Sequence, residues 1–244
     1  MANDITSRLT VDGDPAEVQK LFAAIHGGTD DYGNPIYMDF NKIIPMPESL
    51  DIESGSRTDT GLALYMLATQ GMGNARIERW TFDRIKRDLE QAECSFTDAG
   101  IRRFIGTEEG AELYSLGRTA AENLANYGAK TWYEWCNRTW GTKWNAYEQR
   151  QISDNAIEFQ TAWAGVPHMI EKLSEQFPAL TFSYMYADED WGCNVGEYRF
   201  ENGMCVDVNL PENESENAQF IAEELLGPSW EDEQEDEDEV EIEV

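Results

Sequence analysis

Basic residues are what this sequence has least of: 18 Lys and Arg stand against 48 Asp and Glu in 244 residues, and only 6 of the 18 are lysine. The formal net charge is -30. A field of that sign opposes binding to DNA, RNA or an anionic membrane surface through bulk charge, because like charges repel. Cysteine and histidine are scarce too. Cys94, Cys136, Cys193 and Cys205 lie far apart with no Cys-x-x-Cys pair, and His26 and His168 are isolated, so no zinc-ligand spacing is present. No run approaches the ~20 apolar residues of a membrane span. The start, Met1-Ala2-Asn3-Asp4, lacks the basic and apolar regions of a signal peptide. These absences lead us to expect a soluble, cytoplasmic protein.

Catalytic motifs are missing as well. Gly71-Met72-Gly73-Asn74 lacks the spacing and the Lys-Ser/Thr ending of a phosphate-binding loop, and nothing resembles a serine-hydrolase elbow. Asp188-Glu189-Asp190 lacks the spaced ligands and central glycine of an EF-hand loop. We therefore expect no catalytic residues, no metal and no cofactor.

What is there is a core-forming chain, 41% hydrophobic and 11% aromatic, carrying its acid unevenly. Residues 1–150 hold 23 acids and 16 bases, a net of -7. Residues 151–230 hold 15 acids and two bases, a net of -13, and residues 231–244 hold 10 acids and no base. A halophilic surface would spread its acid evenly. A solubilising tail explains the last 14 residues but not the 80 before them.

The first element reads as a strand, Ile5 to Val11, and Asp14-Pro15 opens a helix carrying Val18, Leu21, Phe22 and Ile25. Ile36 to Phe40 is expected as a short strand and 41–50 as an extended connection. A helical middle follows, with Leu62, Tyr65, Met66 and Thr69, then Phe82, Ile85 and Leu89, at helical spacing. Thr107 is expected to cap a helix whose buried stripe is Leu113, Leu116, Ala120 and Leu124, with Gly128 as its stop. Thr131 to Thr139 forms another helix. Beyond it come strands at 145–153 and 156–163, a helix from Val166-Pro167, a meander over 180–208 with a tight turn at Asn202-Gly203, and a last helix over 214–226. On adjacent strands, Cys193 and Cys205 are expected as two buried, reduced thiols. The seven bases from Arg76 to Arg103 are interleaved with acids, so they read either as internal ion pairs or as a basic binding patch.

Trp140-Gly141-Thr142-Lys143-Trp144-Asn145-Ala146 is an idiosyncratic run. Phe40-Asn41-Lys42-Ile43-Ile44-Pro45-Met46-Pro47 precedes it, and Phe159-Gln160-Thr161-Ala162-Trp163 and Phe177-Pro178-Ala179-Leu180 follow. In this order the segments resemble the YubB ferredoxin-like family of plasmid and bacteriophage proteins, over most of residues 1–210. The resemblance implies a ferredoxin-like C-terminal half and an origin in a mobile element of a bacterial host. It implies no reaction, and the acidic extension lies outside it.

The expected architecture is therefore α+β, a helical middle region plus a ferredoxin-like antiparallel sheet with an acidic C-terminal tail. Its parts are a helix-rich α+β region over 1–139, a ferredoxin-like region over 140–230 with an acidic face, and the tail over 231–244. Trp140, Lys143, Trp144 and Asn145 form either a groove or a structural corner, with the Lys143 ammonium over an indole face. The acidic face comprises Asp188, Glu189, Asp190, Glu212, Glu214, Glu216, Glu223 and Glu224, continued by Glu231, Asp232 and Glu233 in the tail.

The functional expectation is an anti-defence protein that mimics nucleic acid and occupies the basic groove of a host nuclease or DNA-binding complex. The alternative is a non-enzymatic accessory of replication or transfer that binds a protein partner through the Trp-rich corner. Charge spacing limits the mimicry. At ~3.3 Å per residue the tail spans roughly 46 Å, or one charge per ~4.6 Å, against ~1.7 Å in duplex DNA and ~3.4 Å in a single strand. The folded acidic face would have to do most of the imitation.

Overall fold

A computed structural model describes residues 3–228. The acidic tail, with Glu231, Asp232 and Glu233, lies outside the described residues. The chain divides into two compact units: residues 46–135 form one, and the flanking residues 3–45 and 136–228 form the other.

Strict alternation makes the first strand. In β1 (Asp4–Asp12) the side chains of Ile5, Ser7, Leu9 and Val11 are buried on one face. Asp14 then caps α1 (Pro15–Ile25), its carboxylate accepting from Ala16 N at 2.9 Å, with Pro15 in the first turn. A two-residue ladder pairs β2 (Gly28–Thr29) with β3 (Pro35–Ile36). The strand expected over 36–40 stops there. Phe40–Ile43 is a short helix, α2, because Asp39 caps it by accepting from Asn41 N at 2.9 Å.

Past the inserted residues, the first unit resumes with α7 (Trp132–Thr139), whose last turns belong to it. Then come β4 (Tyr147–Ser153), β5 (Ala156–Ala162), α8 (Pro167–Gln176), β6 (Thr181–Asp188), β7 (Gly196–Glu201), β8 (Met204–Asn209) and α9 (Glu216–Leu226). All six long strands form one antiparallel sheet in the order β4-β5-β1-β6-β7-β8. Read as β1-α1-β4-β5-α8-β6, the first four neighbours in that sheet have the βαββαβ connectivity of a ferredoxin-like fold. The β7–β8 hairpin, turned at Asn202-Gly203 with φ of 49° and 72°, extends it. The helical residues 46–135 are thus an insertion between the first βα unit and the rest of the core. A division at 139/140 separates β1 from the sheet in which it is a central strand.

One face of this sheet carries the core. Ser7 lies in register with Phe159, Leu9 with Ile157 and Tyr184, and Val11 with Phe182, all buried, as are Ile5 of β1, Val18, Leu21 and Ile25 of α1 and Met169, Ile170 and Leu173 of α8. The Tyr184 hydroxyl exchanges a bond with Ser7 Oγ at 2.9 Å and accepts from Val166 N at 2.8 Å, so no polar group there goes unpaired. On the opposite face, α9 buries Ala218, Ile221, Ala222 and Leu225 against Ala187, Val195 and Met185. Glu158, buried on that face, accepts from Arg8 Nε at 2.8 Å and Arg150 Nε at 2.5 Å.

The second unit is helical: α3 (Ser56–Gln70), α4 (Arg79–Gln91), α5 (Asp98–Ile105) and α6 (Glu108–Tyr127), around Leu64, Leu67, Ile85, Leu89, Ile101, Phe104 and Leu113. Thr97 and Thr107 cap α5 and α6, each accepting from a glycine N–H three residues on at 3.1 Å. The buried stripe of α6 is Gly110, Leu113, Gly117, Ala120 and Asn123, and Leu124 faces outward. Gly117 is the reason. A Cβ there would sit 1.8 Å from the Gly61 carbonyl oxygen, so α3 and α6 meet backbone to backbone and the glycines set the contact face. Among the described residues, no helix is long and apolar enough to cross a membrane.

Candidate functional site

The starts of β1, β4 and β7 and the ends of β5, β6 and β8 lie at one end of the sheet, as the registers Asp4–Ala162, Ile5–Asp188, Tyr147–Gln160 and Glu197–Asn209 require. The tryptophan run and most of the acidic residues singled out in the sequence converge on this end.

Within the run, Trp140, Thr142 and Asn145 are structural. Trp140 is buried, donates from Nε1 to the Ile44 carbonyl at 2.9 Å and meets Phe40 edge to face at 5.7 Å between ring centroids. Asn145 accepts from Phe40 N and Ala146 N, each at 2.9 Å, and donates from Nδ2 to Asp39 at 2.7 Å. Thr142 accepts from Ala162 N at 3.1 Å and donates to the Ala162 carbonyl at 2.9 Å, which closes the corner onto β5. Lys143 and Trp144 face outward. Lys143 Nζ lies 4.2 Å from the Trp144 ring centroid and 5.1 Å from that of Trp163, and the two indoles are 38% and 41% exposed. Structural corner and aromatic surface are therefore two sides of one run.

The acidic loops adjoin it. Glu189 N donates to the Asp4 carbonyl at 3.0 Å, and the Tyr147 hydroxyl donates to the Asp4 carboxylate. Burial drives the Tyr147 phenol far above its ordinary range, and the Asp4, Glu189 and Glu148 carboxylates add to the shift. The loop after β8 closes on the loop after β6, with Glu214 N donating to the Gly192 carbonyl at 2.8 Å and Asn194 N to Asn213 Oδ1 at 3.1 Å. Burial also raises the Cys193 thiol, aided by Asp190, Glu214 and Asp188. Glu189, Asp190, Glu212, Glu214 and Glu216 are exposed, and among the described residues no base lies within ion-pairing distance of any of them.

Three expected positions fall elsewhere. Asp188 is buried; its carboxylate accepts from Asp190 N at 3.1 Å and Asn194 Nδ2 at 3.0 Å, so it fastens the loop instead of facing a partner. Glu223 and Glu224 lie on α9, and Glu224 engages Arg8 with its side chain at 3.7 Å and its carbonyl at 2.9 Å. The thiols differ from expectation too: Cys205 is exposed on the outer strand β8 and Cys193 is half-buried in a loop. Sequence reasoning missed Asp4, Tyr147, Glu148 and Trp163 as members of this end. They come from three different strands or strand ends, β1, β4 and the end of β5, and only the long-range register joins them.

Backbone strain concentrates here. Among the described residues, six non-glycine residues have φ in the left-handed region, and Glu148 (43°), Trp163 (73°), Asn194 (45°) and Glu214 (62°) all belong to this end of the sheet. Such conformations cost on the order of 1 kcal/mol each and persist where surrounding contacts enforce them, most often at functional surfaces. Chemically the site offers indole faces and a rim of fixed carboxylates. Among the described residues, no cluster of three or more His, Cys, Asp or Glu is placed to hold a metal.

No curated protein matches this chain. A crystal structure of a protein api92 from Yersinia pseudotuberculosis is similar at 12% identity and a TM-score of 0.42, over 87% of this chain and 99% of that one. Residues 139–242 match the family described as the ferredoxin-like domain in Api92-like protein, a match that takes in most of the acidic extension, which was expected to lie outside the resemblance drawn from the sequence, and the C-terminal part of this chain is thus similar to that domain.

Proposed function

We propose that this chain is an anti-defence protein of a bacterial mobile element, an acidic inhibitor that presents one end of its sheet to the basic nucleic-acid groove of a host nuclease or DNA-binding complex. The observation that carries the reading is the set of five exposed carboxylates without a basic partner, Glu189, Asp190, Glu212, Glu214 and Glu216, at the same end of the sheet as the exposed indoles of Trp144 and Trp163. Like charges held together without counter-charges destabilise a free protein, and they are relieved when a positive surface covers them. Exposed tryptophans at the same end as such a rim are suited to anchor a protein partner, since aromatic side chains dominate interface energetics. The described residues of this unit carry 23 acids and 8 bases, a net of -15, and the tail adds ten more acids. The rim therefore sits in a field that speeds encounter with a basic groove.

The test is inhibition of purified restriction and CRISPR-type nucleases of a bacterial host, measured at about 50 and 300 mM salt, where charge-driven binding differs strongly. We expect inhibition at low salt that weakens at least tenfold at high salt and in the triple variant Glu189→Lys, Asp190→Lys, Glu214→Lys. No inhibition of any nuclease, or inhibition indifferent to both salt and charge reversal, overturns the reading. The stacked Lys143, Trp144 and Trp163 support a second reading, an accessory protein that docks a partner through the aromatic surface. In that case Trp144→Ala abolishes partner binding and the charge reversals leave it intact.

A further inference from the structure

The helical unit holds a separate cleft of about 500 Å³ where the start of α3 faces α4 and α6, within the ~300–1,000 Å³ of small-molecule sites. Three arginines line it, Arg57, Arg84 and Arg87, with Ser56, the indole of Trp80 and Thr60, whose hydroxyl donates to the Ser56 carbonyl at 2.7 Å. In a chain of net charge -30 this is an unusual gathering of positive groups.

Three carboxylates, Asp88, Glu109 and Glu112, line the cleft as well, so its lining is formally neutral, and two of the three are committed to an arginine. Glu112 accepts from Arg57 Nη2 at 3.0 Å, and the buried Asp88 accepts from Arg84 Nε at 3.1 Å. Each pair fixes a guanidinium and leaves most of its five N–H donors free for another acceptor. Among the described residues no acid lies within ion-pairing distance of Arg87. Glu109 also lines the cleft and sits in the first turn of α6, where the helix dipole offsets its charge. Behind the hydroxyls, α3 starts after Gly55, which has no side chain to cap it, so backbone N–H groups at that end are open to an acceptor. Trp80 is 43% exposed, and Glu78 accepts from its Nε1 at 2.5 Å, which holds the indole in place.

We infer that this cleft binds a nucleoside phosphate, with the phosphate held by Arg57, Arg87 and the Ser56 hydroxyl, and the base stacked on Trp80. Guanidinium forks bind phosphate oxygens in pairs, and a planar indole stacks with any base. Polymeric nucleic acid is a poor occupant, because the chain's overall field repels a polyanion, whereas a mononucleotide carries too little charge for that field to exclude it. The inference stands independently of the acidic end of the sheet.

Calorimetric titration of the full chain with ADP, adenosine and inorganic phosphate tests it. We expect ADP to bind with a dissociation constant in the micromolar range and to quench tryptophan fluorescence, with adenosine and phosphate each at least tenfold weaker. Arg87→Ala and Trp80→Leu alter exposed side chains, and melting curves verify that both variants fold. Each should weaken ADP at least tenfold, and the second should abolish the quenching. Failure of ADP to bind below millimolar concentration, ADP affinity unchanged in both variants, or adenosine or phosphate binding as tightly as ADP would each overturn the inference.

Discussion

Asn145 uses both ends of its amide: the oxygen accepts from Phe40 N and Ala146 N while the nitrogen donates to Asp39. Removing the amide strands two backbone N–H groups, so Asn145→Ala should cost about 2 kcal/mol in urea unfolding. Asn145→Asp keeps the acceptor, loses the donor and sets two carboxylates against each other. Folding then raises the pKa of that pair, so the penalty is full at neutral pH and shrinks as pH falls toward about 4, near the ordinary carboxylate range. A cost for the alanine variant within error of zero would remove Asn145 from the corner. Burial acts similarly on neutral acids. It holds the Cys136 thiol at about 11 against an ordinary 9.0 and the Tyr186 phenol at about 12 against 10.0, and it pushes Tyr184 up as well. The unfolded chain releases these protons first, so the native state binds more of them and stability falls as pH climbs from about 9 to 12. Urea midpoints at about pH 8 and pH 10.5 should differ accordingly, and Tyr186→Phe should narrow the gap.

Among the elements, most helices and strands were legible because each carries a local signal: alternation in β1, Asp14-Pro15 before α1, Thr107 before α6, and Asn202-Gly203 in the last hairpin. The misses have one physical cause, that tertiary contacts outweighed local pattern. Leu124 fits the apolar period of α6 yet is 47% exposed, because Gly117 turns a glycine-lined face toward α3. Phe40 looks like a strand residue and starts a helix, because Asp39 caps it and the distant Asn145 accepts from its N–H. The α3–α6 crossing gives a sharp prediction. Gly117→Ala places a methyl 1.8 Å from the Gly61 oxygen and 2.1 Å from its carbonyl carbon, contacts that only backbone movement can relieve. It should destabilise the helical unit by roughly 3 kcal/mol. Gly73→Ala, with open space around the added Cβ, should be close to neutral in the same thermal melts. Equal effects of the two substitutions would mean that the helices do not meet at Gly117.

For the whole molecule, the sequence showed how much acid there is and in which segments, but not which carboxylates share a surface. Asp4 and Glu189 are neighbours although 185 residues separate them, because β1 pairs with the end of β6. The same pairing hid that β1 and α1 complete the ferredoxin-like core expected over 140–230, because the helical insertion separates them from it in sequence. The net charge of -30 then has two consequences of opposite sign. Within the chain, repulsion among surplus carboxylates opposes compaction, so salt should stabilise the fold by screening it. Between this chain and a basic partner the interaction is attractive, so the same salt should weaken association. Raising NaCl from about 50 to 500 mM shortens the screening distance from roughly 14 to 4 Å, which is enough to act on both. Tm should therefore rise by several degrees over that range while affinity for a basic partner falls. The triple reversal Glu189→Lys, Asp190→Lys, Glu214→Lys should shrink both responses together, since it removes charge from the rim. If Tm instead fell with salt, attractive ion pairs such as Arg8–Glu158 would outweigh the repulsion, and the rim would not be the source of strain that a basic partner relieves.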